Sequence, residues 1–213
     1  MLFSTSGQAG RWEAEKCSEI YGALIETAAA GVFIVPVFAL GSKLLFRSRR
    51  DTPYYVLFGL YLAAICGLVG FPNLLTLRFS PNVNWIPLRY MINDLKNAGL
   101  NVLLFLPFGV MLPMLWPVFR SGKRTAWAGL AASGIIEAAQ LFTYRATDVD
   151  DLITNTLGAV MGYWLAKLVT KGFSRHVVPE SSPRDFATIC IAVVLIMFFL
   201  QPFVSNALWE LVL

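Results

Sequence analysis

The chain has 213 residues, 57% of them hydrophobic and only 14% charged, with a net charge of +4. Soluble domains carry about 25% charged residues, and a water-solvated globule has no way to hide this much apolar surface. Several apolar runs approach the ~20 residues that cross a bilayer, so the sequence reads as an all-α, polytopic transmembrane bundle of about six spans. The alternating ten-residue segments of a transmembrane barrel are missing. The basic residues sit beside apolar runs, as topology signals do, which argues for membrane lipids and against nucleic acid as partner. Cys17, Cys66 and Cys190 are odd in number and form no CxxC, so neither a disulfide framework nor a zinc site is expected.

Residues 1–19 form an N-terminal extramembrane segment. They hold Glu13, Glu15 and Glu19 and no apolar core, unlike a cleavable signal peptide. Trp12 and the alternating charges around it suit either an interfacial helix or an unstructured start. Residues 20–80 supply two N-terminal spans. The first, 20–46, contains Pro36, a kink site, and Glu26, which either snorkels or joins a polar site. Lys43, Arg47, Arg49 and Arg50 follow and mark the cytoplasmic side. The second span starts at Tyr54, and Tyr54 and Tyr55 occupy the place of an aromatic belt.

Residues 78–97 are too polar to span. Trp85, Ile86, Leu88, Met91 and Ile92 outline one apolar face of a short interfacial helix. The third span, 100–119, carries Pro107, Pro113 and Pro117, whose freed carbonyls need partners at membrane depth, so it is expected to be buried among other helices. Arg120, Lys123 and Arg124 give a second basic cluster. The fourth span is 126–142 and the fifth 151–170, joined by a short polar loop that makes them antiparallel neighbours. Residues 171–185 form a basic cytoplasmic loop with Lys171, Arg175, His176 and Arg184, and 186–213 hold the last span. Six crossings with the basic clusters inside place eleven of the seventeen basic residues in the cytoplasm and both termini outside.

Polar side chains recur at helical spacing in the middle of the chain. Asn93, Asn97 and Asn101 step by four. Ser133, Glu137, Gln140 and Tyr144 share one helix face, as do Asp151, Asn155, Gly158 and Gly162. These stripes should meet near the outer face, beside Arg145, Asp148 and Asp150. One of the three aspartates at the start of the fifth span should cap it. Gly158 with Gly162, and Gly129 with Ser133, are small-xxx-small contacts.

The only histidine, His176, lies in the basic loop, so histidine-based chemistry is excluded from the outer cluster. What remains is carboxylate chemistry. Glu137 and Asp151 are the candidate catalytic pair, with Glu137 an acid or base. Asn101, Gln140, Arg145, Asp148 and Asn155 are candidate substrate-binding residues, and Arg145 suits a phosphate or carboxylate. No cofactor is expected; a divalent cation held by Glu137, Asp148 and Asp151 is the one alternative. The competing reading is a wholly structural cluster that hydrogen-bonds the helices together at about 0.6 kcal/mol per bond. Whether bonds are made or broken stays open, as does the oligomeric state.

The order NVLLFLPFG, then E-x-x-Q, then R-x-x-D-x-x-D-x-x-x-N-x-x-G-x-x-x-G resembles the VanZ-like family. Here the motif falls on Asn101, Phe105, Pro107, Gly109, Glu137, Gln140, Arg145, Asp148, Asp151, Asn155, Gly158 and Gly162, with Asn84 and Pro87 in the lead-in. The resemblance covers about 83–165, placing a VanZ-like domain of three spans at 81–170. It implies a bacterial cytoplasmic-membrane protein of the cell envelope that engages a lipid-linked, polysaccharide or cell-wall precursor. It further implies a link to low-level resistance to teicoplanin, for which the family is named. A lipid flippase or transporter is the further alternative.

Overall fold

A computed structural model describes residues 5–46, 49–80, 82–86, 94–143, 145–170 and 181–212. Among these residues the fold is all-α, with seven principal helices. α1 (Thr5–Leu40) runs unbroken through Pro36, so the backbone that precedes the first apolar run continues into it as one rod. One extra turn, Ser42–Leu45, and a 3₁₀ turn, Arg49–Asp51, lead to α2 (Thr52–Val69). Pro53 sits in the first turn of α2, where its missing N–H costs nothing. Gly70 ends the helix at φ 65°, the left-handed geometry that glycine enters without a Cβ penalty.

α3 (Leu95–Leu115) is capped by Asp94, whose carboxylate accepts the Asn97 amide. α4 (Gly122–Gln140) and α5 (Val149–Val169) follow. α6 (Pro183–Leu195) opens with a capping box between Ser182 and Asp185, then passes through a π-helical segment, Ile196–Leu200, into α7 (Gln201–Val212). The strands are two residues each: β1 (Val83–Asn84) pairs in parallel with β2 (Thr147–Asp148), Asn84 opposite Asp148.

Among the described residues, five segments are long and apolar enough to cross a membrane: Ile20–Leu40, Thr52–Val69, Leu95–Leu115, Val149–Val169 and Pro183–Leu211. Large apolar side chains such as Leu44, Leu168 and Leu211 stand exposed on the outside, as lipid-facing residues do. α4, read from sequence as a further crossing, has 19 residues but is not among those five. Its buried stripe of Thr125, Gly129, Ser133, Glu137 and Gln140 lies against α5 and its neighbours.

α1 and α2 are antiparallel: Gly67 meets Ala23 and Glu26 at one end, and Gly59 meets Phe38 at the other. α3 and α5 run parallel with α4 as the return. Their backbones touch: a Cβ added to Gly158 would lie 2.3 Å from the Val102 carbonyl oxygen, and one on Gly162 would lie 2.1 Å from that of Leu106. From the other side, a Cβ on Gly109 would fall 1.9 Å from the Ala159 carbonyl oxygen. Only glycine permits this approach. The small-residue spacing in the sequence therefore marks a real seam, and the Gly129–Ser133 pair likewise faces α5, Gly129 against Ala159 and Ser133 against Asn155.

At the end of the bundle where α2 begins, an aromatic core forms. Trp116, Tyr55, Phe58 and Phe108 are buried, with Tyr55 and Trp116 stacked at 5.8 Å. Of the two tyrosines expected in an aromatic belt, Tyr54 is exposed and Tyr55 is not. Tyr55 is fully buried, because its ring lies on Trp116 and its hydroxyl donates to Asp185 across the bundle at 3.3 Å. Glu26 accepts a hydrogen bond from Ser205 at 2.9 Å and so ties α1 to α7 instead of joining the polar cluster.

The prolines of α3 have the expected consequence in an unexpected form. The helix continues through Pro107 and Pro113 and ends before Pro117. Beside Pro107, the Tyr61 hydroxyl of α2 donates to the Leu104 carbonyl at 2.6 Å and accepts from the Phe108 amide at 3.0 Å. Leu104 and Phe108 would be partners in an undisturbed helix. The phenol is inserted into that rung and satisfies both halves of it.

The segment before α3 has no regular secondary structure at 77–80, and Trp85 and Ile86 stand exposed just after β1. Leu88, Met91 and Ile92 of the expected interfacial helix lie outside the described residues, as do Pro87, Asn93, Tyr144, Lys171, Arg175 and His176.

Candidate functional site

The polar stripes of α3, α4 and α5 converge at one end of the bundle in two tiers. The rear tier is buried. Ser133 accepts from the Asn155 amide at 2.9 Å and donates to the Asp151 carbonyl at 3.4 Å. Glu137, 4% exposed, accepts the Asp148 amide at 2.8 Å, and its own carbonyl accepts from the Thr147 hydroxyl at 3.1 Å. These bonds fix the α4–α5 turn and the start of α5.

The front tier lines a cleft of about 1120 Å³, just above the ~300–1,000 Å³ usual for ligand sites. Asp148 is the N-cap of α5, accepting from the Asp150 amide at 2.9 Å. Capping satisfies a donor that the helix start leaves open, and the negative charge suits the helix dipole there. The same Asp148 oxygen accepts the Asn84 amide at 3.0 Å, so the β1–β2 pairing brings the lead-in onto the site. Asn101 donates to Asp151 at 2.6 Å across the α3–α5 seam. Gln140 donates to the Val69 carbonyl at 3.2 Å, reaching the end of α2.

The cleft is amphipathic. Asp94, Asn97, Asn101, Gln140, Asp148, Asp150 and Asp151 line its polar end, and Tyr61, Leu68, Leu100, Leu103, Leu104 and Pro107 its apolar wall. Leu100 and Leu103 are exposed, so the wall continues to the outer surface of the bundle. Arg145 is exposed at the rim, its guanidinium and stem over Gly70, where a Cβ would meet Nε at 3.0 Å.

Of the residues singled out in the sequence, Asn101, Gln140, Arg145, Asp148 and Asp151 all line this cleft. Glu137 and Asn155 do not; both are buried behind it, in bonds between helices. Glu137 accepts the Asp148 backbone amide there, and Asn155 donates to Ser133. The triad of Glu137, Asp148 and Asp151 does not assemble as a cation site: among the described residues no three metal-ligating side chains form such a group. The reason is visible in the bonding, with Glu137 engaged by a backbone amide, Asp148 by a helix start and Asp151 by Asn101. Asn82, Asn84, Tyr61 and Thr154 belong to the cleft but carried no site assignment. Asn84 had a signal in the lead-in motif; Tyr61, inside an apolar run, had none.

An all-α bundle with five membrane-length helices and a polar cleft at one end defines a multi-pass membrane protein. The VanZ/LLP1 family model matches residues 58–170, more than half of the chain, and the chain belongs to the VanZ/LLP1 family. The matched region starts earlier than the motif itself, taking in α2 from Phe58, the helix that supplies Tyr61 and Val69 to the cleft. No curated protein and no solved structure matches.

Proposed function

We propose that this protein binds the polar head of an amphiphile of the bacterial cell envelope, a lipid or a lipid-linked cell-wall or polysaccharide precursor, in the cleft between α2, α3 and the start of α5. The observation that carries this reading is the cleft's division. A polar floor of Asn101, Gln140, Asp148 and Asp151 adjoins an apolar wall that runs out through Leu100 and Leu103 to the outer surface of the bundle. A soluble ligand has no need of the wall, and a purely structural cluster has no need of the opening. Ionisable groups at membrane depth are costly and mark functional sites by default.

The site lies in the cytoplasmic membrane with the cleft toward the outside, the orientation favoured by the basic clusters. Occupation or masking of a precursor there is also the route by which such a protein lowers teicoplanin binding at the surface. The rear tier supports a second, structural role for Ser133, Glu137 and Asn155. The two roles separate in one experiment: lipid and precursor profiles of cells expressing wild type, Asp151→Asn and Glu137→Gln at matched levels. The binding reading expects a species that changes with wild type and Glu137→Gln but not with Asp151→Asn. A profile that follows protein abundance alone in all three strains overturns it.

A further inference from the structure

We propose that the end of the bundle opposite the cleft binds an anionic phospholipid, with the lipid phosphate held between the start of α4 and the end of α5. The site shares no residue with the cleft and is independent of the head-group reading above. The 21 residues of α5 carry it about 30 Å away from the cleft, and α4 returns along it, so the first turn of α4 meets the last turn of α5. Packing fixes the two ends together. The Tyr163 hydroxyl donates to the Arg120 carbonyl at 3.1 Å, and Gly122 lies against the Tyr163 ring, where a Cβ would come within 3.2 Å.

Around this contact Lys123 and Arg124 stand exposed in the first turn of α4, and Lys167 in the last turn of α5. Among the described residues none of the three has a carboxylate partner. Arg124 gives one N–H to the Val118 carbonyl at 3.2 Å, and the Lys167 ammonium lies over the Trp164 ring at 4.8 Å. The described acidic residues at this end, Asp51 and Asp185, are buried, and Asp185 already accepts from the Tyr55 hydroxyl and the Ser182 amide. The helix adds to the imbalance. Two cations in a first turn oppose the helix dipole, and α4 has neither a side-chain cap nor an acidic residue there.

The surroundings select a lipid over a free anion. Trp164, Leu165 and Leu168 are exposed beside Lys167, and the exposed Trp127 lies one turn beyond Lys123 and Arg124. Basic residues bordered by tryptophan are the pattern of a membrane–water interface, and Lys167 belongs to a helix of membrane length. A soluble anion gains nothing from that border, whereas a phospholipid lays its acyl chains along it. The head group must also be net anionic. Choline and ethanolamine heads carry their own cation beside the phosphate, and the three basic side chains repel it.

The test uses the purified full chain in detergent, with lipid retention followed by native mass spectrometry. Phosphatidylglycerol and phosphatidylcholine with the same acyl chains are offered in equal amounts. The expected result is a preference for phosphatidylglycerol of about tenfold or more, since each basic residue near a membrane surface contributes about fivefold. Lys167→Gln alone should lower the preference about fivefold, and Lys123→Gln, Arg124→Gln and Lys167→Gln combined should remove it. Lys43→Gln, which takes an exposed charge from the Ser42–Leu45 turn at the same end, should leave it unchanged. Equal retention of the two lipids overturns the proposal, as does a preference that survives the triple variant. A loss with Lys43→Gln as large as with Lys167→Gln overturns the site in favour of diffuse surface charge. Displacement of the lipid by an equal concentration of glycerol phosphate overturns the choice of a lipid.

Discussion

Asp151 and Glu137 are both acidic and both belong to the same motif, yet the structure places them in different surroundings. Asp151 lines the cleft and is held by Asn101. Glu137 is behind it and holds the backbone at Asp148. Glu137→Gln keeps an acceptor oxygen for that amide, and its midpoint of thermal unfolding in detergent should stay close to wild type. Glu137→Leu leaves the amide unpaired and should destabilise by about 1–3 kcal/mol. If Glu137→Gln instead abolished function in a fully stable protein, the carboxylate would have an acid–base role. The helical spacing of the stripes placed these residues on common faces, but spacing does not tell which of two neighbours on a face reaches the opening. That depends on Asn84, which arrives from a strand 64 residues away to close over Asp148. Tyr61 shows the other limit. Nothing distinguishes it from the aromatic residues around it until α3 is docked. Tyr61→Phe should cost about 1–3 kcal/mol, because both the Leu104 carbonyl and the Phe108 amide lose their partner at once.

Helix pairing was legible wherever it was written in glycine. Gly158 and Gly162 sit four apart, and both meet backbone on α3. Gly158→Ala would place a methyl group 2.3 Å from the Val102 oxygen and must push α3 and α5 apart. We expect a loss of several kcal/mol, comparable with overpacking a core, where about 1–3 kcal/mol is usual and more is seen when backbone must move. Gly99, exposed on α3, has nothing within 4 Å. Gly99→Ala should stabilise by about 0.4–1 kcal/mol through the unfolded chain. Thermal unfolding of the two variants side by side checks the seam, and a similar small change in both would refute it. The β1–β2 pairing was not legible. Two residues per strand carry no periodicity, and the pairing exists only because the α4–α5 turn and the chain before α3 are brought together by the helices.

For the molecule as a whole, composition alone carries the class: so much apolar surface with so little charge leaves little but a membrane bundle. Orientation rests on a weaker signal, the bias of basic residues, and it yields a direct prediction. A single cysteine replacing Arg145 in a background without Cys17, Cys66 and Cys190 should react with a membrane-impermeant thiol reagent in intact cells. Labelling only after the cells are opened would invert the topology and turn the cleft to the cytoplasm. The number of crossings was less legible, since α4 mixes small, polar and apolar residues and its character is set by α5, against which its buried stripe lies.

The Tyr61 rung also bears on how the bundle is built. Helix α3 cannot complete its own hydrogen bonding; one link belongs to α2. A peptide of residues 95–115 alone in a bilayer would keep an unpaired carbonyl and amide beside Pro107, in a medium where water is not at hand to take them. Because α2 precedes α3 in the chain, the phenol is already in place when the incomplete helix enters. The order of the helices along the sequence is therefore also an order of assembly, with the earlier helix acting as template for the later one.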